Sequence, residues 1–157
     1  MWEALEQSSW VQTVAQTGWL YASVSILHYL TFFWCVGSIA VIDLRVLGVA
    51  ARGRTASELA EVLFPWAWTG FGLAILSGFL MFATDAGDWA PDRVFHVKLL
   101  VILLAVVATV LVQVGVPRWD ASPTVPTVAK IVAAVSLLLW IGAILSASEI
   151  PALEGLG

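Results

Sequence analysis

Two histidines, His28 and His96, are the residues of this chain best equipped for chemistry, because each lies in a stretch dominated by apolar residues. An ionisable side chain in such surroundings is costly unless paired, so it marks a functional site by default. Neutral imidazole is a good iron ligand, and two imidazoles opposed across a bundle at one depth suit a six-coordinate b-type haem. The depths agree with that expectation. At a helical rise of about 1.5 Å per residue, His28 lies about 13 Å from Trp19 and His96 about 7 Å from Pro91. Measured from Asp43 across an apolar core of about 30 Å, His28 is about 8 Å deep. The expected axial ligands are therefore His28 and His96, with Lys98 or Arg93 placed to meet the propionates. A plainer alternative gives His28 a hydrogen bond to a Ser or Thr of a neighbouring helix and leaves His96 facing solvent or headgroups.

Copper is the runner-up, since Cys35, His28 and Met81 are soft or borderline ligands. However, Met81 falls near the outer end of the second apolar stretch and Cys35 deep in the first. Lys98 projects about 200° around a helix from His96, so the two point apart. Without a haem, Lys98 and Arg93 are interface anchors, the lysine stem snorkelling outward. There is no glycine-rich phosphate loop, no Ser/His/Asp set and no cluster of intramembrane carboxylates, so no catalytic residue is assigned.

These residues must be positioned by membrane helices. The 157 residues are 61% hydrophobic and 11% charged, with a net charge of −4, and the mean hydropathy is +0.95. Soluble domains carry about 25% charged residues. Charge is absent from 7–42, 62–84, 99–117 and 131–148, and a spanning helix needs about 20 mostly apolar residues. The pattern predicts one all-α domain, an up-down-up-down four-helix bundle in the bilayer, with spans near 19–46, 62–84, 93–116 and 125–148. Ser57, followed by Glu58 and Glu61, suits a helix start, as do Pro91, Pro123 and Pro126.

Arg45, Arg52, Arg54, Arg118 and Lys130 fall on one side of these spans, Arg93 and Lys98 on the other. The positive-inside rule then places both termini outside the cytoplasm of a bacterial inner membrane. Residues 1–18 carry Glu3 and Glu6 without a basic residue, unlike a secretory signal. Their apolar residues recur at helical spacing, as in a segment lying along the interface. Seven scattered basic residues and the net negative charge argue against a nucleic-acid partner. One cysteine excludes an intrachain disulfide.

Gly70, Ala74 and Gly78 form a small-residue stripe suited to close packing inside the bundle, with Gly37 in a similar role on the first helix. Most of the nine tryptophans, among them Trp19, Trp66, Trp68, Trp89 and Trp119, read as an interfacial belt. Asp43 and Arg45 are expected at a helix end, pairing with each other, with backbone or with headgroups. Glu149, beside Pro151, closes the last span.

The segments His28-Tyr-Leu, Gly37-Ser, Asp43-Leu-Arg-Val-Leu-Gly48, Phe64-Pro-Trp-Ala-Trp-Thr-Gly70, Ser77-Gly-Phe-Leu and Phe95-His-Val-Lys-Leu99 together resemble a bacterial family of small four-helix membrane proteins of uncharacterised function. Its layout is similar to the copper-resistance D and cytochrome b561-like membrane proteins. The resemblance covers residues 15–112 and places His28, Asp43, Arg45 and Lys98, but not clearly His96, at motif positions. Where the family ends its last helix with Gly-Arg, this chain carries Ala147-Ser-Glu149. The leading expectation is a b-haem electron-transfer protein, or the haem-bearing anchor of a redox complex with membrane or periplasmic redox partners. The rival is a cofactor-free accessory subunit of a larger membrane assembly, and the third is copper handling.

Overall fold

A computed structural model describes residues 2–154, and the side chains of residues 2–146. The described chain is all α: α1 (Trp2–Glu6), α2 (Ser9–Gln16), α3 (Gly18–Val46), α4 (Ala56–Thr84), α5 (Ala86–Trp89), α6 (Arg93–Asp120) and α7 (Thr127–Glu154). Four helices are long and apolar enough to cross a membrane: α3, α4, α6 and the Thr127–Ser146 part of α7. The chain is thus a multi-pass membrane protein built on a four-helix bundle. In lipid each backbone N–H and C=O needs a partner within the protein, which continuous helices supply. Ser25, Thr31, Ser38, Thr69 and Thr109 return their hydroxyls to carbonyls four residues back, so they too are satisfied within their own helices.

Helix ends follow from local chemistry. At α3, Gly48 adopts a left-handed φ of 77°. Val49 N–H then reaches Leu44 O at 2.9 Å and Gly48 N–H reaches Arg45 O at 3.0 Å, a Schellman stop. Thr55 caps α4 in a reciprocal capping box with Glu58. This moves the start of α4 six residues ahead of the Val62 expected from charge alone. Asp120, at the end of α6, accepts from Ser57 N–H at 2.6 Å and so ties α6 to the positive end of the α4 dipole. The Arg- and Lys-bearing connections thus gather at one end of the bundle, the basic end. Asp85, Asp88, Asp92 and the N-terminal segment gather at the other, the acidic end.

α1 and α2 are folded onto that acidic end. Glu6 accepts from Gly87 N–H at 2.5 Å, Trp2 meets Phe82 edge to face, and Val11 is buried. Glu149 and the run Ala147-Ser-Glu149 lie outside the residues whose side chains are described.

Within the bundle α3 packs most extensively on α4, and α6 on α7. The α3–α7 and α4–α6 seams are thinner, and α3 lies diagonally across from α6. The α3–α4 seam is closed by the expected stripe. A Cβ on Gly70 would fall 2.9 Å from Thr31 O, and one on Gly78 would fall 2.9 Å from His28 Cε1; Ala74 is buried between them. Gly37 does not share the role: it is exposed and a Cβ there would meet nothing.

Gly70→Ala is therefore expected to destabilise the bundle by about 1–3 kcal/mol, the cost of overpacking against backbone. Gly37→Ala should stay within about 0.5 kcal/mol of the parent, as open surface sites do. Thermal unfolding in detergent or bicelles measures both.

Candidate functional site

His28 lies about 15 Å along α3 from its acidic-end start, at about 1.5 Å per residue. Its ring rests on the bare backbone of α4 at Gly78. Nδ1 is 2.9 Å from Ala74 O and 3.2 Å from Ser77 Oγ. The Ser77 hydroxyl donates its own hydrogen to Leu73 O at 2.7 Å. A carbonyl can only accept, so Nδ1 carries the proton and donates to Ala74, and Nε2 holds the free lone pair. Phe32 stacks on the imidazole with centroids 6.3 Å apart and planes at 14°, and Tyr29 meets it edge to face at 5.7 Å.

His96 is not brought to this ring. It is exposed at the acidic end, on the helix diagonal to α3, with Nδ1 2.6 Å from Asp92 O one turn back. Its neighbour Phe95 stacks on Phe82 at 5.2 Å. Arg93 is exposed. Lys98, half-buried, is less exposed than either of them. The fold leaves the two histidines on separate helices, His28 set against α4 and His96 outward at the acidic end. The angular separation of His96 and Lys98 requires one to face inward and the other outward, and packing decides which.

The copper set does not converge either. Cys35 lies two turns beyond His28 on α3, about 10 Å along the axis, and is buried against Gly70. Among the described residues no group of three or more His, Cys, Asp or Glu side chains is arranged to hold a metal ion.

Below His28 the interior is aromatic. Phe32 meets Trp140 at 5.9 Å, and Trp140 meets Phe71 at 6.0 Å. Trp140 is fully buried, and its Nε1–H donates to Thr109 Oγ1 at 2.9 Å, joining α7 to α6. Neither Trp140 nor Thr109 stands out as a functional residue in the sequence. The available signal was a hydroxyl and an indole on consecutive apolar helices, which is too common to single them out.

Nearer the basic end lies the larger surprise. Asp43, expected at the membrane boundary and paired with Arg45, is 0% exposed, and neither carboxylate oxygen makes a hydrogen bond. Arg45 turns away and donates through Nε to Arg54 O. Ile42 and Val46, the helix neighbours of Asp43, are enclosed by Ala56, Phe64, Val112, Val116, Ala129 and Ala133, because α4, α6 and α7 extend past this level. Among the described residues, the polar group set against Asp43 is the Ser136 hydroxyl of α7. Ser136 is itself 0% exposed, and its Oγ lacks an ordinary hydrogen bond.

Among the described residues the surface opens into concavities at both an end and a side of the bundle. One, of about 450 Å³, lies at the acidic end between Tyr21, Asp85, Asp88, Trp89 and Asp92. The other, of about 240 Å³, is an apolar groove on the α3–α4 face. Neither is lined by His28.

Thr109→Val leaves the Trp140 indole N–H buried without an acceptor, which costs about 1–3 kcal/mol. Trp140→Phe combined with Thr109→Val removes both partners. A double-mutant cycle on thermal unfolding should therefore show a less-than-additive loss. Strict additivity would mean the two side chains do not interact.

Comparison with protein families, curated proteins and solved structures finds no match for this chain, so the reading of the site rests on its geometry.

Proposed function

We propose that this membrane protein is a subunit of a larger intramembrane assembly, docked to a transmembrane helix of a partner through its α3–α4 face. The observation that carries the reading is a pair of tryptophans in the wrong place for a belt. Trp34 and Trp66 are 58% and 54% exposed, with ring centroids 5.9 Å apart. Trp34 lies about 3 Å from the midpoint of α3 and Trp66 about 6 Å from that of α4, at 1.5 Å per residue. Lipid-facing tryptophan collects at the headgroup level, where its N–H finds water. At mid-depth on an exposed face it suits contact with protein.

The two rings flank the groove formed with Leu30, Thr31, Thr69, Gly70 and Leu73. Small and hydroxyl-bearing residues are what helix–helix contacts in lipid use, because they admit close backbone approach. The groove therefore has the composition of a helix-docking surface as well as its position.

A second reading, haem b held through His28, is favoured by one specific observation. The Nδ1–H bond to Ala74 O fixes the tautomer with Nε2 free, the arrangement that orients a ligating histidine. His28 would supply one axial ligand through Nε2. His96 is exposed on another helix, so this reading needs a second ligand other than His96.

Both readings are open to direct measurement. The subunit reading expects native electrophoresis and native mass spectrometry of gently solubilised membranes to find the chain in a species heavier than itself. Trp34→Ala with Trp66→Ala should lower recovery of that species by about tenfold or more, the loss of about 1.4 kcal/mol. A lone monomer in native lipid would defeat it. The haem reading expects a Soret band with sharp reduced α and β bands that vanish in His28→Ala; a colourless, folded preparation would dismiss it.

A further inference from the structure

We propose that Asp43 and Ser136 form a proton-binding station inside the bundle, about one helical turn from the basic end. Two unpartnered polar side chains from different helices, α3 and α7, face each other there, and both are wholly removed from solvent. Neither belongs to the groove nor to the His28 site, so the inference stands independently of the proposed assembly role.

The chemistry selects the ligand. An ionised carboxylate in apolar surroundings with no hydrogen bond is among the costliest groups a membrane protein can hold. The neutral acid avoids that cost, because its O–H can donate to Ser136 Oγ. A metal cation is poorly served by comparison. Only three side-chain oxygens meet at this point, whereas calcium takes six to eight oxygen ligands and magnesium demands a near-octahedral shell. Among the described residues no further acidic, thiol or imidazole ligand joins them.

Among the described residues no neighbouring charge substitutes for the proton. On α3, Arg45 is engaged by Arg54 O. On α4, Glu58 is engaged in the capping box and Glu61 is exposed. On α6, Asp120 accepts from the N-terminus of α4 and Arg118 is exposed. On α7, Lys130 is exposed. Burial and the Ser136 hydroxyl are what act on Asp43.

Access is short. Asp43 is three residues from the end of α3, about 5 Å along the axis, whereas Phe32, Phe71 and Trp140 fill the interior toward the acidic end. The proton therefore arrives from the basic end. A hydronium ion or water molecule there gives H⁺ to an Asp43 oxygen, leaving water or hydroxide, and the site passes from one negative charge to none.

Infrared spectroscopy of the full chain in lipid vesicles, with ¹³C-labelled aspartate to assign the bands, tests this. The expected result is a protonated-carboxyl C=O band of aspartate at neutral pH. It should be absent in Asp43→Asn and shifted in Ser136→Ala, and sodium or potassium at constant pH should not affect it. Should Asp43→Asn fail to insert, the isotope label and the Ser136→Ala shift decide the matter on chains that keep Asp43. Absence of an aspartic-acid band at neutral pH would overturn the proposal. So would a band unmoved by Ser136→Ala, and loss of the band on adding either salt would overturn it by handing the site to a metal ion.

Discussion

Helices in lipid gain nothing from hiding apolar surface from one another, and this constraint shapes the rest of the bundle. Association must come from close contact and from the few polar groups that can pair. The α3–α4 seam meets the first requirement with Gly70, Ala74 and Gly78, which let α3 lie directly on the α4 backbone. The same approach seats the His28 ring against Gly78 and brings Nδ1 within reach of Ala74 O, a carbonyl already used within its own helix. A Cβ at Gly78 would push the ring away and leave it without that partner. Packing and histidine chemistry are therefore one feature.

The polar groups are distributed in layers. His28, Ser77 and Lys98 occupy the half toward the acidic end; Phe32, Phe71 and Trp140 fill the middle; Thr109 accepts a hydrogen bond from the Trp140 indole; Asp43 and Ser136 lie toward the basic end. The aromatic layer separates two polar environments that could otherwise exchange water. Each ring there carries a large contact area with few rotatable bonds, which suits a plug. The end caps differ as well. The acidic end is covered by α1 and α2, while the basic end is held by the hydrogen bond of Asp120 to α4.

Much of this was legible in the chain. Gaps in charge located four spans, and the Gly70 stripe proved to be intramolecular packing. Other features depend on distances that a linear reading does not contain. Ser57, Glu58 and Glu61 marked the start of α4, whereas the gap in charge alone put the edge of the span six residues later, because a capping box lies ahead of the apolar run. That shift of six residues moves Trp66 from the supposed boundary to the helix interior. Asp43 read as a boundary residue because it is one turn from the end of α3, but three neighbouring helices continue past it. Periodicity showed that His96 and Lys98 diverge, yet only the diagonal placement of α3 and α6 decides which points inward. The fold of residues 1–18 onto the bundle rests on Glu6 meeting Gly87, a contact too distant in sequence for local pattern to reveal.

The bundle is best understood as two hairpins, α3–α4 and α6–α7, each tightly packed within itself and more thinly joined to the other. Asp43 and Ser136 meet across the α3–α7 seam, and Phe32 meets Trp140 across it as well. A thin seam has fewer apolar contacts to outweigh a change in one polar pair, so a charge appearing on Asp43 bears most directly on how the hairpins sit together. The Trp34–Trp66 groove is on the outer face of the same α3–α4 hairpin whose inner face carries Asp43. A partner helix in that groove and a proton on Asp43 would therefore act on opposite faces of one hairpin. If the hairpins have two relative positions, whatever binds one face must bias the other, because linkage between sites is reciprocal.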